Sequence, residues 1–149
     1  MTKTKKLNHF KKWVFWTGIF NIVAYSSFLC PFTLKHFLLI NGKIANALGL
    51  GGTPLDLPSN INHLILIHIL GAIVVLLGVM LIVASLDIIN RVWFVFYEGL
   101  IRILAFVFIL YFVIFSNAAQ VMVVFGGIDL IIGMIYMYYI FSISEMKIN

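Results

Sequence analysis

The chain has 149 residues, 63% of them hydrophobic and 10% charged, with a mean hydropathy of +1.12 and a net charge of +5. Soluble domains carry about 25% charged residues, so this balance excludes a water-soluble globule and places the chain in the membrane class. Lys3, Lys5, Lys6, Lys11 and Lys12 stand directly ahead of an apolar run, where basic residues set membrane orientation, and the same placement argues against a nucleic-acid partner.

The first apolar span is predicted from Trp13 to Leu29. It carries Asn21 and Tyr25, and Trp13 and Trp16 stand where an aromatic belt meets the membrane surface. A cleaved signal peptide is the rival reading, since Ala24-Tyr25-Ser26 fits a small-x-small cleavage site. Asn21 and the apolar character beyond that point favour a retained span. Cys30 is the only cysteine, which excludes an intrachain disulfide and a thiolate metal site.

The connection from Cys30 to Asn60 has two parts. Leu34, Phe37, Leu38, Ile44, Ala45 and Leu48 recur at helical spacing, with Lys35, His36, Lys43 and Asn46 on the opposite arc. That pattern predicts an amphipathic helix lying in the outer interface. The run Gly49-Leu50-Gly51-Gly52-Thr53-Pro54 is turn material leading into the second span.

The remaining spans are predicted over 61–86, 91–115 and 119–142, each about 35 Å long as a helix against about 30 Å of hydrocarbon. Tight turns at Asp87-Ile88-Ile89-Asn90 and Ser116-Asn117-Ala118 predict that the last three spans are antiparallel neighbours. The expected fold is all-α, an antiparallel four-helix transmembrane bundle formed as one domain over residues 1–149. Seven of the ten basic residues (Lys3, Lys5, Lys6, Lys11, Lys12, Arg91 and Lys147) fall on the N-terminal side, against Lys35 and Lys43 opposite. Both termini are therefore expected in the cytoplasm, with the protein in the plasma (inner) membrane.

The chemistry concentrates in the third span. Glu98 and Arg102 lie four apart inside Val92–Phe115, so they share one helix face with the acid in the favourable N-terminal position. Alone, each would cost about 2.5–3.5 kcal/mol at the centre of an inserting helix. Counted from the turn after Ser116, Asp129 lies within roughly 6 Å of Arg102 in depth, inside the reach of an arginine. Asn21 falls near the same level. A mid-membrane cluster of Asn21, Glu98, Arg102 and Asp129 follows. It reads either as an ion, proton or headgroup site or as a self-satisfied network that fixes helix packing. If all three charged groups ionise, the cluster carries one net negative charge, so one carboxylate is expected to hold a proton.

His63 and His68 point about 140° apart on one helix and cannot share a haem, so no cofactor or metal is expected. His68 and Tyr111 lie at similar depth and form a candidate outer polar layer. Gly71, Gly78 and Ser85 form one small-residue stripe, and Gly126, Gly133 and Tyr136 lie on the same side of the fourth span as Asp129; both stripes suit close helix packing within the chain or in a homo-oligomer. Tyr136, Tyr138 and Tyr139 read as an aromatic girdle. No phosphate loop, zinc-protease or nucleophile-elbow motif occurs.

Gly71 to Gly78 in the second span, Glu98-Gly99-Leu100-Ile101-Arg102 in the third and Gly126-Gly127-Ile128-Asp129 in the fourth give a layout that resembles the DoxX-like group of small bacterial four-helix membrane proteins. The resemblance implies the fold more than an activity; some members are linked to redox or sulfur metabolism. With one cysteine and no cofactor motif, the expected function is non-catalytic: an accessory subunit of a membrane complex, or a binder of a small ligand or lipid. A small transporter or proton-coupled carrier using Glu98, Arg102 and Asp129 is the alternative.

Overall fold

The structure, a computed structural model, describes residues 3–148 of the chain and the side chains of residues 4–142. The side chains of Lys3 and Lys147, two of the bases that set the expected orientation, lie outside the described residues. The chain is helical: α1 (Lys3–Tyr25), a single 3-10 turn (Ser26–Leu29), α2 (Pro31–Ala47), α3 (Ile61–Leu86), α4 (Val92–Ser116) and α5 (Val121–Ile148). Among the described residues, Ile61–Leu86, Val92–Ser116 and Val121–Ser142 are long and apolar enough to cross a membrane. The N-terminal segment qualifies only when Thr4–Leu29 and Pro31–Ala47, bent by 111°, are taken together as one broken span.

The basic N-terminal segment is not a tail but the first turns of α1. Its buried residues Phe10, Val14, Thr17, Gly18 and Asn21 follow a helical stripe. Three local devices end the helix and turn the chain. Ser26 Oγ donates to the Val23 carbonyl at 2.9 Å and Ser27 Oγ to Ala24 at 2.8 Å, which diverts the last carbonyls from the helical ladder. Pro31 forces Cys30 into extended backbone and then opens α2 at its first turn. Thr33 Oγ1 closes the elbow by donating to the carbonyls of Ser27 and Cys30.

α2 departs from its expected amphipathic face. Leu34 is buried and Phe37, Leu38 and Ala45 are half-buried, but Ile44 and Leu48 are exposed. The inward stripe instead runs through Asn41, whose side chain is tolerated because Nδ2 donates to the Phe37 carbonyl at 2.8 Å. After α2 the glycine-rich loop docks on the α4–α5 turn. The Gly51 N–H donates to Gln120 Oε1 at 2.9 Å, and the Gln120 N–H returns to the Gly51 carbonyl at 3.0 Å. The Thr53 N–H and hydroxyl both donate to the Asn117 carbonyl, at 2.9 and 2.8 Å. Gly52 has φ +94° here, and a Cβ would collide with the Ala118 carbonyl.

Packing runs mainly between α1 and α3 and between α4 and α5. Each pair crosses at two glycines. A Cβ on Gly18 would lie 2.6 Å from the Gly78 carbonyl oxygen, and one on Gly78 2.8 Å from that of Gly18. A Cβ on Gly133 would lie 2.8 Å from the Gly99 carbonyl oxygen. The small-residue stripes thus serve contacts within the chain. Two turns earlier in α3, Gly71 lies against Phe28 of the 3-10 turn. The short α3–α4 turn did not make those helices the main neighbours, because a turn fixes connectivity while close approach needs facing small residues. In that turn Asn90 Nδ2 donates to Asp87 at 2.8 Å and holds its exposed carboxyl below the usual carboxylate range.

One apolar core joins the two pairs. It contains Phe10 and Val14 of α1, Leu81 and Ala84 of α3, Ile88 of the turn, Val95 of α4, and Ile132 and Tyr136 of α5. Tyr136 is fully buried edge-on against Phe10, so it belongs to this core and not to a surface girdle; Tyr138 is exposed. The glycine crossings make a specific prediction. Gly78→Ala forces two backbones apart and should cost about 1–3 kcal/mol in detergent thermal unfolding. Gly127→Ala, whose Cβ would meet nothing within 4 Å, should not lower the melting temperature. Equal effects of the two would contradict the close crossing.

Candidate functional site

Immediately beyond the apolar core, polar side chains occupy the interior. Glu98 and Arg102 are 4% and 6% exposed, and Asn21 is buried. A charged pair is stable in such surroundings only if hydrogen bonds replace the lost water. The guanidinium does this with all three of its nitrogens. Nε donates to Glu98 Oε1 at 2.6 Å, and Nη2 lies at 2.6 Å from the same oxygen. Nη2 also donates to Asn21 Oδ1 at 2.8 Å, and Nη1 donates to Asp129 Oδ1. Arg102 of α4 thereby binds α1 and α5 as well as its own helix.

The local reasons for this placement are visible in each helix. On α4, Val95, Glu98, Gly99 and Arg102 are the buried residues, so the apolar core, the glycine crossing and the ion pair share one face. On α1, Asn21 lies one turn beyond Thr17 and next to the Gly78 backbone at the α1–α3 crossing. On α5, Asp129 precedes Gly133 by one turn, and the tight approach of α4 and α5 at Gly99 and Gly133 brings its carboxylate to the guanidinium. Asp129 is the most open member, its side chain 20% exposed.

The interior has a second polar layer one to two turns closer to the apolar core. Thr17 is four residues before Asn21, Glu98 four before Arg102, and Tyr136 seven after Asp129. The Tyr136 hydroxyl is buried without a hydrogen-bond partner. The Thr17 hydroxyl donates to the Trp13 carbonyl at 2.8 Å. Two atoms in this layer are buried without a partner: Glu98 Oε2 and the Tyr136 hydroxyl. Sequence reasoning did not assign Thr17 or Tyr136 to the site. The signal available was register, since both repeat the helical faces of residues that it did assign.

The other proposed layer does not form between its two members. His68 Nδ1 pairs with the Phe28 carbonyl at the elbow, not with a neighbouring hydroxyl, and its Nε2 is buried without a partner. Tyr111 is 54% exposed and packs against Phe112 and Phe115. Equal depth placed the two at one level, but they face different surroundings. Among the described residues, no group of three or more His, Cys, Asp or Glu side chains is arranged to hold a metal ion.

Comparison with known proteins returns no match: no family model fits the chain, and no curated protein or solved structure is similar to it.

The network predicts an asymmetry between single and paired substitutions. Arg102→Ala leaves two acids facing each other without a cation and should destabilise the protein by about 3–5 kcal/mol. Glu98→Gln combined with Arg102→Gln removes one charge of each sign, keeps hydrogen-bonding groups in place, and should melt close to the unsubstituted protein. Thermal unfolding in detergent reads both, and an unchanged melting temperature for Arg102→Ala would contradict the network.

Proposed function

We propose that the chain is a small multi-pass protein of the inner membrane with a DoxX-like layout, acting without catalysis as an accessory subunit or as a binder of a small ligand or lipid. In this reading α1, α3, α4 and α5 form an antiparallel four-helix bundle. α2 lies along the outer interface, and both termini are cytoplasmic. The observation that carries the reading is the guanidinium of Arg102, whose three nitrogens are all engaged by acceptors of the chain itself. Such a group holds helices together. It offers little to an anionic substrate, and the surrounding residues supply no activated nucleophile.

The lipid arm is supported by α2, which exposes Phe32, Leu39 and Ile40 together with Lys35 and Lys43. Apolar side chains that enter the acyl boundary beside lysines that meet headgroups are what an interfacial helix needs. Seven basic residues on the N-terminal side support the cytoplasmic placement of the termini.

A second reading, a proton-coupled carrier, draws on the 20% exposure of the Asp129 side chain at mid-membrane depth. An acid open to its surroundings there is a route by which ions could reach the network.

Native mass spectrometry after mild-detergent purification distinguishes the two. The accessory or binding role predicts a stoichiometric protein partner or a retained lipid. A bare protein that moves protons when reconstituted in liposomes, and loses that flux in the Glu98→Gln, Arg102→Gln variant, would overturn it in favour of the carrier.

A further inference from the structure

α1 turns its two sides to different surroundings. Phe10, Val14, Thr17 and Asn21 are buried, and Lys6 and Lys11 are half-buried. Lys6 Nζ donates to Ser142 Oγ on α5 at 2.9 Å, so it serves packing within the chain. The opposite side is an exposed strip that changes character along the helix. It begins with Lys5, Asn8, His9 and Lys12, which among the described residues line a recess of about 350 Å³. It continues through exposed Trp16 and ends in exposed Phe20 and Val23. At 3.6 residues per turn, Lys5, His9, Lys12, Trp16, Phe20 and Val23 fall within about 80° of arc.

We propose that this strip is a binding site for one anionic phospholipid of the surrounding bilayer. Its phosphate is held in the recess by Lys5, His9 and Lys12, and an acyl chain lies over Trp16, Phe20 and Val23. The inference specifies the lipid arm of the proposed function and rests on that reading's placement of α1 in the membrane.

Charge and length both fit this occupant. α1 carries no acidic residue, so nothing on its own helix offsets the two lysines. Lysine ammonium groups bind phosphate as point charges, and Asn8 and His9 add N–H donors beside them. A zwitterionic lipid brings its own cation to such a recess, and an anionic lipid does not. From Lys12 to Val23 is about 16 Å along the axis, close to half of the roughly 30 Å of hydrocarbon. The strip is therefore one leaflet deep, with its indole at the interface where amphipathic rings reside. Basic residues that only oriented the chain would leave lipids of either charge equally placed beside Trp16.

Tryptophan quenching by brominated lipids separates these cases. The chain has three tryptophans, so Trp13→Phe with Trp93→Phe leaves Trp16 as the reporter. In phosphatidylcholine vesicles, brominated-chain phosphatidylglycerol should quench Trp16 with at least about fivefold the apparent affinity of brominated-chain phosphatidylcholine, the preference expected from one lysine near the surface. Adding Lys5→Gln and Lys12→Gln should bring the two lipids to equality. Unchanged quenching by the phosphatidylcholine would show that α1 is still in place in that variant. A protein with Trp13→Phe and Trp16→Phe, which keeps exposed Trp93 on α4, should show no such preference. Equal quenching of Trp16 by the two lipids before the lysines are changed would overturn the site and leave the membrane reading standing. No quenching by either lipid would overturn both. The same preference at Trp93 would overturn the site in favour of general charge attraction. Loss of the preference in inorganic phosphate at constant ionic strength would overturn it in favour of a free-anion site.

Discussion

An arginine inside a membrane cannot be left to itself. Its guanidinium is charged at every accessible pH and presents five N–H donors in a fixed plane. In hydrocarbon those donors must find acceptors within the protein. Arg102 meets that demand with Glu98 on its own helix, Asn21 on α1 and Asp129 on α5. The need to satisfy one side chain therefore fixes the rotation of three helices about their axes and their relative heights. The buried faces of α1, α4 and α5 all pass through these residues.

Apolar packing alone would constrain the arrangement less. Lipid tails are as apolar as leucine, so helices in a bilayer gain little by burying hydrophobic side chains against each other. Close contact is obtained where backbones can touch. Gly18 with Gly78 and Gly99 with Gly133 give two tight pairs, α1 with α3 and α4 with α5. The apolar core around Phe10, Leu81, Val95 and Tyr136 lies between the pairs at one end. The Arg102 network adds the directional contact between them. Replacing a buried ion pair with apolar side chains often leaves stability unharmed, so the contribution of the network here is to specify the docking.

Spacing along the chain revealed helix faces and depths but not partners. Glu98 and Arg102 were readable as one face because they are four apart. Asn21 and Asp129 were readable as level with them because depth can be counted from a turn. These four residues are hydrogen-bonded neighbours in the structure. The same counting placed His68 beside Tyr111, where depth agrees but the residues face different surroundings. The close crossings were harder to read, since each needs two glycines from different helices and the sequence shows them only one at a time. Gly18 stands alone in its helix and gave no stripe. Thr17 and Tyr136 were missed because a hydroxyl beside an apolar core looks like a packing residue. α1 begins earlier than its apolar run because lysines are good helix formers, so hydropathy did not mark the helix start.

If the polar network specifies how the α1–α3 pair docks on the α4–α5 pair, removing it must loosen that docking. Pulsed-EPR distance distributions test it most directly. In a Cys30→Ser background, spin labels at exposed Phe20 on α1 and Leu100 on α4 report the docking, and labels at Phe20 and Val79 report the α1–α3 pair. When Asn21, Glu98, Arg102 and Asp129 are all replaced by leucine, the α1–α4 distribution should broaden while the α1–α3 distribution stays narrow. An α1–α4 distribution as narrow as in the unsubstituted protein would show that apolar packing alone sets the docking and that the network does not specify it.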